Sequence, residues 1–146
     1  MENYIISIQT FENMIRNLVR LEEEKDILID HFFSKSSDVE RIEMVHMLDD
    51  YIKQMNQLLC VVNKSNTLDR KLPFAIIGCE IEVEDMFNLL NKKLRLISPL
   101  EKTIQFGDVS IFSPLGKALL LTRIGDIVKL NIRSGRIKYR IMNIYL

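Results

Sequence analysis

From Phe11 onward the large apolar residues fall at Phe11, Met14, Leu18, Leu21, Leu28 and Phe32, with Lys25 at the one seam position that is skipped. From Val45 they fall at Val45, Leu48, Ile52, Met55, Leu59 and Val62. Alternating steps of three and four mark one stripe on each of two helices. Each stripe is too narrow for a globular core and suited to packing against the other. Thr10 and Ser37 are placed to act as N-caps, and the polar run at 34–38 reads as the turn between the arms. The pattern predicts an antiparallel coiled-coil hairpin over 1–62. An arm from about 11 to 33 would be roughly 35 Å long at ~1.5 Å per residue.

After Val62 the texture changes. "NKSNTLDRKLP", residues 63–73, is polar, ends in proline and reads as a linker. A period of two then takes over in "EIEVE" (80–84), "KLRLI" (93–97), "DVSIF" (108–112), "DIVKLNIR" (126–133) and "RIKYRIMNI" (136–144). Such alternation predicts half-exposed antiparallel strands, and Ser134-Gly135 suits a two-residue hairpin turn. Ser113 followed by Pro114 predicts a capped short helix over 114–121. The whole reads as α+β, a helical hairpin followed over 74–146 by a small sheet domain with one short helix.

Composition adds a charge asymmetry. Residues 1–62 carry 12 acidic and 6 basic side chains, whereas 63–146 carry 8 acidic and 14 basic. An acidic half joined to a basic half suggests two surfaces with different partners. No apolar run approaches the ~18 residues of a membrane span. The start, "MENYIISIQTFEN", lacks the basic and long apolar regions of a signal peptide. Cys60 and Cys79 are too few and too far apart for a disulfide framework or a zinc site. A cytoplasmic monomer with reduced thiols is the expectation.

"SPLGKALLLTRIGDIVKLNIRSGRIKYRIMNI", from Ser113, resembles the C-terminal segment of the bacterial Gre transcription elongation factors (GreA/GreB). Ser113, Pro114, Gly116, Ala118, Leu119, Gly125, Asp126 and Gly135 sit where that family's pattern wants them, and "FAIIGCEIEVED" (74–85) resembles the opening strands of the same domain. The resemblance implies an N-terminal antiparallel coiled coil and a C-terminal domain folded like the FK506-binding proteins. It further implies that the C-terminal domain docks at the rim of the RNA polymerase secondary channel while the coiled coil enters it. On that reading Ser113, Pro114, Gly116, Lys117 and Arg123 form the polymerase-docking surface, with Lys117 and Arg123 on the side that faces the polymerase.

In the family, acidic residues at the coiled-coil tip help hold a Mg²⁺ at the polymerase active site. Hard carboxylates suit an ion that keeps several waters, and such an ion can activate water for cleavage of backtracked RNA. Here the matching stretch is "SSDVERIEM" (36–44), with Asp38 for the Asp, Glu40 for the first Glu and Glu43 for the second. One residue is missing between Asp38 and Glu40, Arg41-Ile42 replaces Asn-Ala, and both arms are shorter than is usual. Ser37-x-x-Glu40 also forms a capping box, with Asp38 favourable in the first turn of a helix. His31 and His46 flank the tip on different arms without ligand spacing. The expectation is a polymerase-binding regulator, with no catalytic residues of its own, whose contribution to transcript cleavage is weak or absent. Short-armed relatives such as the Rnk protein and Gre-like inhibitors lack the standard tip. The rival reading, an FKBP-like isomerase or chaperone, rests on fold analogy alone. Such isomerases use a central Trp, and this chain has none. Sequence-specific DNA binding lacks any base-reading motif.

Overall fold

The computed structural model describes residues 4–33, 37–67, 69–101 and 103–146. The chain divides into two compact units, Met1–Leu68 and Asp69–Leu146. By sequence the first carries 12 acidic and 7 basic side chains and the second 8 and 13.

The first unit is built on two long helices, α1 (Ile8–Phe33) and α2 (Asp38–Val61), with short strands β1 (Ile5–Ser7) and β2 (Asn63–Ser65) paired in parallel. On α1 the expected stripe is buried at Met14, Leu18, Leu21 and Leu28, joined by Ile29. On α2 the buried line is Met44, Leu48, Tyr51 and Met55. It shares Leu48 and Met55 with the predicted stripe but replaces Val45 and Ile52, which are half-buried. A step of three or four can be drawn through either neighbour. The long Met44 and Tyr51 side chains reach the seam that the short β-branched residues only flank.

Lys25 fills the skipped seam position and pairs with Asp49 across the hairpin at 2.7 Å; Arg41 pairs with Asp30 at 2.6 Å nearer the tip. The helix start also differs from expectation. Ser7, not Thr10, caps α1: its Oγ accepts the Thr10 N–H at 3.1 Å and donates to Thr10 Oγ1 at 2.8 Å. Thr10 is thereby buried in the first turn. Ser37 caps α2 as expected, accepting the Glu40 N–H at 3.2 Å. Residues 34–36 of the predicted turn, and the side chain of Phe32, lie outside the described residues.

The second unit is a five-stranded sheet of order β5-β4-β3-β7-β6. Its strands are β3 (Glu80–Asp85), β4 (Asn91–Ile97), β5 (Asp108–Ser110), β6 (Ile127–Ile132) and β7 (Gly135–Tyr145), and α3 (Pro114–Leu119) lies between β5 and β6 in sequence. Three pairings are antiparallel and β4–β5 is parallel, so the sheet is mixed rather than wholly antiparallel. A bulge in β7 opposite Glu82/Val83 shifts the inward-facing register from Ile141 to Ile144 and leaves Met142 exposed. The core gathers Phe74, Ile76, Ile81, Val83, Leu96, Ile111, Leu119 and Ile141, all fully buried.

The segment read as a linker is attached at both of its ends. Asn63–Ser65 forms β2, with the Asn63 N–H donating to Tyr4 O at 2.7 Å. At its other end Lys71 bridges Tyr145, and the Leu72 N–H donates to Ile144 O at 2.9 Å. Leu72 is fully buried. Polar composition concealed these attachments because each rests on two or three residues, too few to show a period.

Candidate functional site

The turn into α3 is fixed by three residues that the sequence singles out. Ser113 Oγ accepts the Gly116 N–H at 3.0 Å and donates to Ser110 O at 2.6 Å. Pro114 follows at the first helical position, where its missing N–H has no intrahelical partner to lose. Gly116 is buried, and a Cβ placed on it would stand 1.9 Å from Ser110 O. The glycine therefore lets the helix lie directly on the β5 backbone.

Leu119 is fully buried. The chain leaves the helix through Leu121, a non-glycine residue at φ 62°. That conformation is held by the Leu121 N–H donating to Ala75 O at 2.7 Å and the Ala75 N–H donating to Thr122 O at 2.8 Å. Beyond it the Arg123 N–H donates to Asp126 Oδ2 at 2.8 Å. Pro114, Lys117 and Arg123 are exposed. The sequence thus builds a rigid, capped turn that displays a proline and two cations.

Asp38, Glu40 and Glu43, the candidate tip acids, are all exposed on the first turns of α2. Asp38 is the first helical residue and Glu40 the third, so the two diverge by ~200° around the axis. Glu40 and Glu43, three apart, share a face. Among the described residues no group of three His, Cys, Asp or Glu is placed to hold a metal ion. The Asp38–Glu40 pair does not fit joint ligation of a Mg²⁺ from this helix start. Ser37 Oγ accepts from the Glu40 N–H, one half of the expected capping box, and Asp38 lies at the positive end of the helix.

One ion pair in the second unit was not visible in the sequence. Arg95 on β4 meets Asp108 on β5 through two bonds, Nε to Oδ1 at 2.9 Å and Nη2 to Oδ2 at 2.8 Å. Asp108 also accepts the Gln105 N–H at 2.7 Å. The Arg95 guanidinium, then the Gln105 N–H, hold its carboxyl below the usual carboxylate range despite burial. The pairing rests on the parallel register Arg95↔Asp108, which opposite charges 13 positions apart do not announce. It fixes the turn that exposes Ile104 and Phe106. Among the described residues no helix is long and apolar enough to cross a membrane.

The first unit is a helical hairpin, and the second a mostly antiparallel sheet with one capped helix. Residues 72–146 match the family model "Transcription elongation factor, GreA/GreB, C-term". The chain belongs to the GreA/GreB family of transcription elongation factors. It is 28% identical to transcription elongation factor GreA of Solidesulfovibrio magneticus, over 99% of this chain and 93% of the relative. It is 26% identical to GreA of Nitratidesulfovibrio vulgaris, over 99% and 96%. Among solved structures it is similar to the GreA/GreB factor of Nitrosomonas europaea, with a TM-score of 0.54 and 18% identity over the whole of both chains, which shows the fold.

Proposed function

We propose that this chain binds RNA polymerase as a monomer through the α3 surface of its second unit and places the helical hairpin in the secondary channel. There it modulates elongation without recruiting a Mg²⁺ through Asp38 and Glu40. The observation that carries docking is the α3 turn. Ser113, Pro114 and Gly116 lock its backbone, while Lys117 and Arg123 stand exposed, within the part of the chain that matches the family model. Modulation in place of cleavage is supported by the placement of Asp38 and Glu40 two apart on one helix. Replacing Lys117 and Arg123 together by Glu tests docking. Rim charges act mainly on association and its salt dependence. The expected result is weaker polymerase binding with the salt dependence changed and the fold intact. Unchanged affinity would move the docking surface elsewhere.

A further inference from the structure

At the end of the sheet formed by the β3–β4 turn and the β6–β7 hairpin lies an open groove of about 410 Å³. Phe87, Leu130 and Ile137 line it together with Lys129, Arg136 and Lys138. Two features there stand out. Lys129 and Lys138 stand directly opposite each other in the antiparallel ladder, an arrangement of like charges that destabilises a sheet. Among the described residues neither they, nor Arg136, nor Arg133 in the adjoining turn is matched by an acidic side chain.

The facing turn is built as firmly as the one at α3. Asp85 Oδ1 accepts the Phe87 N–H at 3.0 Å, Asn88 Oδ1 accepts the Leu90 N–H at 3.0 Å, and the Met86 N–H donates to Lys138 O at 2.8 Å. Leu89 is held at φ 60°, a conformation unfavourable for a branched side chain. The result is that Phe87, 62% exposed, is pinned beside the lysine ladder rather than folded into the core.

We propose that this groove binds single-stranded nucleic acid without sequence preference. Unpaired cations along the backbone track and an aromatic face for base stacking are the two elements such sites combine. Arg136 and Lys138, two apart on one strand, are separated by about 7 Å, a spacing suited to successive phosphates of an extended strand. Asn131, opposite Arg136, is the one side-chain amide among the described residues that line the groove, too little to read bases. An acidic peptide would satisfy the charges but would leave the pinned aromatic ring unexplained. The inference does not depend on polymerase binding.

The test uses the full chain and fluorescein-labelled dT12 and rU12, with anisotropy followed from 50 to 200 mM salt. Three to four phosphate contacts at ~0.7 each give an expected slope of log K against log salt of about −2 to −3. Lys129→Gln with Lys138→Gln relieves the cross-strand repulsion, so the unit keeps its fold. It should weaken binding at least about tenfold and reduce the slope by about one unit or more. Phe87→Ala should weaken binding roughly five- to a hundredfold with the slope unchanged. No binding at 50 mM salt, or full affinity in either variant, would overturn the proposal. Displacement by poly-L-glutamate as effective as by unlabelled oligonucleotide would also overturn it and assign the groove to an acidic protein.

Discussion

Gly116→Ala isolates the contact on which the α3 turn depends. The new Cβ would lie 1.9 Å from Ser110 O, 2.7 Å from Ser110 C and 3.0 Å from Ile111 Cα. All three are backbone atoms of β5 and its continuation, so no side chain can swing aside. Ordinary contact begins near 3.4 Å, and about 1.5 Å has to be found by moving α3 off the sheet. That shift opposes the Ser113 bonds to Gly116 N and Ser110 O and lifts Leu119 from the core. Overpacking of ~1–3 kcal/mol and a lost cap of ~1 kcal/mol together make about 3 kcal/mol a fair expectation.

Cys79 provides the assay. It is wholly buried in the same unit, and Cys60, the other thiol, is exposed. In a Cys60→Ser background, modification of Cys79 by a water-soluble thiol reagent reports opening of the second unit. Gly116→Ala should raise its rate by about two orders of magnitude, at ~1.4 kcal/mol per tenfold. A rate equal to that of the parent would show that the helix does not need close approach to β5 and would refute the reasoning.

Three further outcomes are expected. Ser37→Ala removes the α2 cap and should lower hairpin stability by ~1 kcal/mol, seen as an earlier loss of helical circular dichroism on heating; an unchanged melt would contradict it. Lys25→Leu replaces an ion pair, worth little at a partly exposed seam, by apolar packing between Leu21 and Leu28, so the hairpin should melt later; an earlier melt would make the pair with Asp49 a net stabiliser. Burial pushes the Cys79 thiol up to about 12 from an ordinary value of 9.0. The folded chain therefore keeps a proton that the unfolded chain releases above pH 9. Its stabilising contribution is complete below pH 9 and is lost as pH rises towards 12. Across that window urea unfolding of the parent should weaken by up to ~1.4 kcal/mol per pH unit more than that of Cys79→Ala; parallel curves would contradict the assignment.

The legible parts of the fold are those where one residue period is sustained. "EIEVE" and "RIKYRIMNI" alternate long enough to mark β3 and β7 to within a residue or two at each end, and Ser113-Pro114 marks the start of α3. Rotation of the α2 seam to Met44 and Tyr51 was hidden because side-chain reach, not spacing, decides between adjacent positions. Strands β1 and β2 are three residues each, held by backbone bonds that carry no side-chain signature.

Of the candidate site, Ser113 and Pro114 were legible because each has a narrow chemical reason for its place, whereas Gly116 was legible only as part of the family pattern and its close approach to Ser110 O appears in the structure. The Arg95–Asp108 pair depends on a strand register that composition and periodicity do not encode. The Lys129–Lys138 opposition follows from a hairpin turn at Arg133-Ser134, one residue before the expected Ser134-Gly135, which pairs Ile132 with Gly135. At the tip, sequence spacing already set Asp38 against Glu40. Placing Asp38 inside the helix rather than in the turn is what fixes their divergence.

The central claim is tested most directly on stalled, backtracked RNA polymerase elongation complexes given the purified chain. Saturable binding and a changed elongation rate, with no increase in transcript cleavage and no effect of Asp38→Ala or Glu40→Ala, is the predicted result. Strong stimulation of cleavage that either substitution abolishes would contradict it.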